Sequence, residues 1–338
     1  MNLSNNIVYY DALLTNEVIV NNNPPICSYT DTRSAPLLRD STGYSMSIVR
    51  FTLSTQTLPI FIPTVLDKVN APNNTIYSFT MSYNGTVYQQ FLQYEPQVNT
   101  NPSDDEYYYV FTYSFLTYLI NKCLQSCLEG LVQQIPELSN APVPVLTYSI
   151  DTQKYSITFD TDYYGFNEDN KINVYLNYSM MSILDTMAIY ITRTNIQGQN
   201  YLLDLRQCDA NGTLFQELST CGNINPVSSI LMTSNYLPAL PNQVGNFNTI
   251  VDGINNSGSS NNACLSVITD FVGSDLLFTP FIQYTPYTYL WISLRPGTEI
   301  KNVDIQAYWR SKKTGEIHPI YLSSGGSFTL KLAFQKIA

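Results

Sequence analysis

Histidine is almost missing from this sequence: His318 is the only one in 338 residues. That shortage excludes His-rich zinc sites and the histidine cluster of a cupin-type metal enzyme, and it leaves little room for a Ser-His-Asp triad. Charge is scarce too. Charged residues make up 12%, about half the usual share. Their balance is acidic, 16 Lys and Arg against 26 Asp and Glu, for a net charge of −10. A phosphate-binding surface shows as a basic stripe. The densest cationic cluster here is Arg310, Lys312 and Lys313, so direct nucleic-acid binding is not expected. No run reaches the roughly 18–20 apolar residues of a membrane span. The opening MNLSNNIVYYD has neither a basic head nor an apolar stretch, so no signal peptide is expected, and synthesis in the cytoplasm is. The six cysteines, Cys27, Cys123, Cys127, Cys208, Cys221 and Cys264, are then expected as free thiols.

What replaces the missing charge is Asn, Ser, Thr and above all Tyr, of which there are 27. Tyr suits a pleated sheet. It also suits an interface, being apolar along the ring and polar at the tip. Hydrophobic residues make up 44%, so the chain can build a sizeable core. The Tyr surplus is thus open to two uses, a large β-sandwich core and extensive contact with other proteins.

Along the chain, residues 1–43 read as an extended arm, because Pro24-Pro25 and Ala35-Pro36 break any helix. YSMSIVRFTLS (44–54) reads as a strand, with Ile48 and Val49 apolar on successive faces as if both were covered. IYSFTMSYNGTVYQQFLQY (76–94) is a hairpin around Asn84-Gly85. Phe111, Phe115, Leu119, Cys123, Cys127 and Leu131 recur every four residues, with Leu116, Ile120, Leu124 and Leu128 alongside, and predict the main helix, its end bounded by Gly130 and Pro136. LTYSIDTQKYSITFD (146–160) predicts a second hairpin turning at Thr152-Gln153, and 172–191 a strand with a short helix. NNSGSSNN (255–262) reads as a loop tip. Beyond it ACLSVITDF, YTYLWISL, VDIQAYWR, IHPIYL and SFTLKLAF follow as strand candidates. Many short strands with turns between them indicate an antiparallel sandwich or jelly roll.

Candidate chemistry is thin. His318 precedes Pro319 and Ile320, as a strand start would. Cys123 and Cys127 share a helix face but occupy its apolar stripe. In DTDYYGFNEDNK (160–171), Asp160, Asp162 and Gly165 fall on calcium-loop positions, yet Lys171 stands where a bidentate Glu is required. Ser323-Ser324-Gly325-Gly326-Ser327 has glycines before a strand, without the Lys and helix of a phosphate loop. Thr314-Gly315 reads as a hairpin turn, and Asp104-Asp105-Glu106 as a solvated loop. No catalytic, cofactor-binding or metal-binding residue is predicted, and the chain is not expected to be an enzyme.

The ending VDIQAYWRSKKTGEIHPIYLSSGGSFTLKLAFQK and the openings IVYYDALLTN, YTDTRSAPLLRDSTGYSMSIVRFTLST and LPIFIP resemble the penton (vertex, or minor capsid) proteins of virophages, polinton-like viruses and polintons. Between them FLTYLINKCLQSCL, ILMTSNYLP, VITDF and YTPYTYLWISL fall in the order of that family. The resemblance implies an all-β chain with minor helical insertions, folded as an elaborated single jelly-roll β-sandwich. Residues 1–43 would be an extended N-terminal arm. Residues 44–338 would be the jelly roll, with a helix-containing insertion around 95–190. It further implies a homo-pentamer at the icosahedral vertices of a virion, in contact with a double-jelly-roll major capsid protein and other minor capsid proteins. No cofactor or catalytic residue comes with it. The alternative reading is a receptor- or glycan-binding β-sandwich of the fibre-head kind, for which Tyr and Trp suit sugar stacking. A repetitive shaft is missing.

Overall fold

The structure is a computed structural model and describes residues 7–17, 25–97, 100–193, 198–240, 266–271 and 280–337. The expected loop tip at 255–262 and Cys264 lie outside them. The chain divides into two compact units, 1–58 with 226–338, and 59–225. The second unit is wider than the insertion expected around 95–190, and it contains the main helix.

In the first unit, two antiparallel sheets are built from both ends of the chain. One runs in the order Ile7–Thr15, Ser327–Lys336, Tyr44–Ser54, with Phe281–Tyr284 and Ile292–Ser293 both on the far edge of Tyr44–Ser54. The other runs Ser266–Phe271, Val227–Ser234, Asn302–Ser311, with Ile317–Pro319 and Ser28–Thr32 both on Asn302–Ser311. Alternate residues of one face go inward: Phe328, Leu330, Leu332 and Phe334 from the last strand, Val303, Ile305, Ala307 and Trp309 from the other sheet, all buried. The sheets meet where Phe51 lies 4.5 Å from Phe271, ring to ring. This sandwich is the single jelly roll expected from the sequence.

Strand Tyr44–Ser54 shows why two successive apolar residues sat in its middle. Lys331 faces Arg50 and Leu332 faces Ile48, so Val49 is left over as a β-bulge. The extra residue shifts the alternation. Met46 and Ile48 point into the core before it, Phe51 and Leu53 after it, while Val49 is only half-buried. The partners on the strand's other edge break at the same level. Of YTYLWISL, expected as one strand, Ile292–Ser293 pairs with Tyr44–Ser54 and Leu294 bridges Ala239, and a four-residue strand, Phe281–Tyr284, precedes them. Pro286, which lacks an N–H, falls in the gap.

The segment 1–43 is extended where described, but it is woven into the sandwich. Ile7–Thr15 pairs residue by residue with Ser327–Gln335, and Ser28–Thr32 pairs with Asn302–Gln306. Tyr10, Ala12, Cys27 and Leu38 are buried. Tyr10 ties the two strands together, donating its hydroxyl to Asp31 at 2.7 Å. Apolar residues run together in Ile7–Thr15 instead of alternating, and prolines interrupt the rest, so the segment shows no strand period and reads as an arm.

The second unit packs the helix Tyr113–Gln134 on a six-stranded sheet and a three-stranded one. The first is built on Ala71–Tyr83 and its hairpin partner Thr86–Gln93. The second runs Thr213–Phe215, Lys154–Thr158, Val145–Ser149. The hairpin turn is made by Asn84 (φ 46°) and Gly85 (φ 79°), both in the left-handed region as a type I′ turn requires. The second hairpin turns through 150–153, a longer loop than Thr152-Gln153 alone. The helix begins at Thr112, whose side chain accepts the Phe115 N–H at 3.2 Å. Gly130 does not end it. A Cβ there would come within 2.2 Å of the Tyr88 ring, so this glycine lets the helix approach the hairpin closely. Phe111 and Phe115, the start of the expected stripe, are only partly buried; Leu116, Leu119, Ile120, Leu124 and Leu128 carry the buried face with the two cysteines.

The abundant amides have a structural use. Asn121 on the helix donates to the carbonyl of Leu146 at 2.9 Å and accepts its N–H at 2.7 Å. One side chain thereby closes the open edge of Val145–Ser149. Asn177 accepts the Ser78 N–H at 3.1 Å and donates to Ile76 at 2.7 Å, and Gln216 accepts the Tyr155 N–H at 2.9 Å. A neutral amide matches a peptide group donor for acceptor. It satisfies buried backbone without the desolvation cost of a charge.

Candidate assembly surface

The residues weighed for chemistry do not converge. His318 is buried and stacks on Trp309, 4.3 Å between ring centroids at 17°, with the Glu316 carboxylate 4.0 Å from Nε2. It is a packing element of the hairpin that turns at Gly315 (φ 74°). Cys123 and Cys127 face the hairpin of the second unit, where their thiols donate to the carbonyls of Gln90 (3.4 Å) and Tyr88 (3.4 Å). Burial pushes Cys127 up to about 12, so neither is a nucleophile at neutral pH. In the loop 160–171, the Lys171 ammonium donates to the carbonyl of Thr161 at 2.5 Å, a cation of the chain's own. The glycine-rich turn 323–327 closes around Asn16. Asn16 donates its backbone N–H to the carbonyl of Gly326 (3.0 Å), accepts the Gly325 N–H (2.9 Å), and reaches Leu322 through its side chain (2.8 Å). It anchors the N-terminal strand.

Several cations are paired or lie over rings. Lys122 meets Glu95, Arg206 meets Asp204 at 2.7 Å, and Lys331 meets Asp11 at 3.6 Å. Arg206 also lies 3.8 Å over the Phe166 ring and Lys331 5.0 Å over Tyr9. Among the described residues there is no cluster of His, Cys, Asp or Glu that could hold a metal, and no helix long and apolar enough to cross a membrane.

The tyrosines divide between core and surface. Among the described residues nine are buried and seven are exposed. The buried ones form packed groups, such as Tyr94, Tyr107 and Tyr108, with centroids 4.8–5.6 Å apart. Many of the exposed large apolar side chains stand at sheet margins, others on helices and loops. Tyr9 and Leu13 stand on the edge strand Ile7–Thr15, Phe215 on the edge strand Thr213–Phe215, and Tyr190 and Ile191 on Ile189–Ile191. Tyr287, Tyr289 and Leu290 form a loop beside the edge strand Phe281–Tyr284. What these separate margins offer is apolar and rich in hydroxyl groups, and the stretch from Phe281 to Leu294 carries no charge. That is the chemistry of lasting contact between proteins, and such edges invite pairing.

Residues 8–336 match the family described as Sputnik minor capsid protein V18/19. The chain belongs to that family. Two curated proteins of Sputnik virophage are related to it. Structural protein V19 is 26% identical over 211 residues, covering 56% of this chain and 92% of that protein. Uncharacterized protein V18 is 31% identical over 112 residues, covering 28% of this chain and 67% of that protein. A chain of the Sputnik virophage structure, solved at 3.5 Å by cryo-EM, superimposes with a TM-score of 0.74 and 25% identity over 98% of each chain. The mavirus penton protein, known from a crystal structure, shares the fold at a TM-score of 0.64 and 16% identity, over 98% of this chain and 99% of that one. This minor capsid protein is a structural component of the virion. An edge-exposed, charge-poor surface on a jelly roll is what a subunit of a closed shell needs.

Proposed function

We propose that this minor capsid protein is a penton subunit: copies of one chain close a five-fold ring at each icosahedral vertex. The observation that carries the reading is the single jelly roll shared over nearly the whole length with the mavirus penton protein, on a chain many of whose exposed apolar residues sit on sheet margins. A closed cyclic arrangement uses two different flanks of each subunit and leaves no interface open. The ring would sit among double-jelly-roll major capsid proteins and other minor capsid proteins. Its protein contacts would be built from Tyr, amide and hydroxyl groups rather than ion pairs, and nucleic acid would not be a partner. The chain would be made in the host cytoplasm and would reside in the capsid. Native mass spectrometry of the purified chain, alone and with the major capsid protein, tests this. A mass of five chains is expected; a species that stays monomeric in both samples refutes the ring.

A further inference from the structure

Among the described residues, the jelly-roll sheet that starts with Ile7–Thr15 has one unpaired margin along Ile7–Thr15 and another along Phe281–Tyr284, whereas the outer side of Ile292–Ser293 is covered by Ala239 and Leu240. Val145–Ser149 in the second unit is closed by the Asn121 amide. Ile7–Thr15 is nine residues long and pairs only on the side of Ser327–Lys336. No side-chain amide of a described residue closes its other side. A long unblunted edge is a template for another chain. Tyr9 and Leu13 stand on it, 54% and 62% exposed. The Asp11 and Lys331 charges on the same edge neutralise each other at 3.6 Å.

The opposite margin of the same sheet carries Phe281–Tyr284 and Ile292–Ser293, and between them the loop 285–291 stands out from the edge at the level of the Val49 bulge. From Phe281 to Leu294 there is no charged residue. Tyr287 is 106% exposed, Leu290 56%, Tyr289 43% and Phe281 42%. At roughly 200 Å² for a large side chain, the exposed parts of these six residues on the two margins amount to about 700 Å². That is nearly half of the roughly 1,600 Å² total of a standard specific interface. The 281–294 margin brings no charge of its own into such a contact, so none is left buried and unpaired there.

We propose that these two margins are the two halves of the contact between neighbouring copies: the Tyr9–Leu13 edge of one subunit receives the 281–291 margin and its aromatic loop from the next. The margins lie on opposite flanks of one sheet, as a head-to-tail contact that closes a ring requires. The assignment rests on the ring reading above.

Leu13→Asp and Leu290→Asp, each in the full chain, test it. Both side chains are more than half exposed, so each variant should melt within about 2 °C of the parent. Tyr287→Ser, at a fully exposed side chain, serves as a second loop variant. In sedimentation and native mass spectrometry, the parent should form rings and either Asp variant should stay monomeric. A concentrated 1:1 mixture of the two Asp variants should stop at a heterodimer, because one intact edge meets one intact loop and neither can extend. Rings unaffected by all three variants overturn the edge assignment while leaving the ring intact. The same holds if the mixture forms full rings or no heteromer, or if Tyr287→Ser abolishes glycan binding without touching the ring. A parent that never forms rings refutes the ring reading instead.

Discussion

Asp304 offers the sharpest test of how the jelly roll is held. It sits in Asn302–Ser311, out of phase with the inward-facing Val303 and Ile305, and is 1% exposed. Among the described residues no cation pairs with it. Its carboxylate instead gathers three donors from the end of the neighbouring strand. Oδ1 accepts the Ser234 hydroxyl and the Tyr236 N–H at 2.9 Å, and Oδ2 accepts the Asn235 N–H at 2.8 Å. Ser234 Oγ in turn accepts the Leu237 N–H at 2.9 Å. The carboxylate thus terminates Val227–Ser234 and turns the chain. Asp304→Asn keeps the shape but replaces one acceptor oxygen with a donor, so one backbone N–H is orphaned and the new amide N–H₂ that faces it lacks an acceptor too. At about 1–3 kcal/mol for each buried unsatisfied group, the loss should be about 2–4 kcal/mol. Asp304→Ala, which orphans all three donors, should lose about 3–6 kcal/mol. At about 2–4 °C per kcal/mol for a unit of this size, the Asn variant should melt roughly 5–15 °C lower. Urea unfolding and thermal melts measure this. Hydrogen exchange should show faster exchange at the Asn235 and Tyr236 amides. Glu299→Gln, at an exposed pair with Lys301, is the control and should stay within about 0.5 kcal/mol. If Asp304→Asn behaves like the control, the carboxylate does not hold the turn.

A chain starting at Thr42 loses two paired strands and the buried Tyr10, Cys27 and Leu38. At about 1.5–3 kcal/mol per buried side chain it should lose its cooperative melt by calorimetry; a normal melt would return these residues to the status of a dispensable arm. Gly130→Ala gains about 1 kcal/mol of helix propensity but places a Cβ against the Tyr88 ring, so the net result should be a loss of about 1–3 kcal/mol. In a Tyr88→Ala background the same change should become neutral or stabilising, and a double-mutant cycle without coupling would sink the idea. Burial holds the thiols of Cys27 and Cys123 well above the usual range, puts Cys127 at about 12, and with Asp209 and Asp204 puts Cys208 at about 11. These raised values favour the neutral thiol in the folded state. Their contribution is complete below about pH 8.5, where unfolded thiols begin to ionise, and is lost as pH rises toward the folded values. Urea midpoints should therefore be level from pH 7 to 8.5 and fall by pH 10.5; a level midpoint at pH 10.5 contradicts the reasoning.

Local rules with short reach were legible in the residues themselves. Asn84-Gly85 announces its turn because almost no other pair accepts two positive φ values in a row. The helix announces itself because its stripe repeats over five turns. The strands Tyr44–Ser54, Asn302–Ser311 and Ser327–Lys336 show as alternation, and the lack of clustered histidines or cations rules out whole classes of chemistry before any fold is known. The membership of a capsid family was legible too, but only from the order of many weak segments.

Other features depend on partners distant in sequence, and those only the tertiary structure decided. Residues 7–15 look like an arm until Ser327–Gln335, more than 300 positions away, supplies the ladder that makes them a strand. Val49 looks like a core residue until the register beside Lys331 and Leu332 shows it to be a bulge. Gly130 looks like a helix end until the Tyr88 ring is seen to occupy the space of its missing side chain. Asp304 is invisible within an apolar strand because its donors come from another one. The assembly margins have the same origin: composition sets how much Tyr and how little charge the chain carries, but whether a given Tyr fills the core or stands on an open edge is set by which strand lies beside it, because burial belongs to pairs of elements and not to single residues.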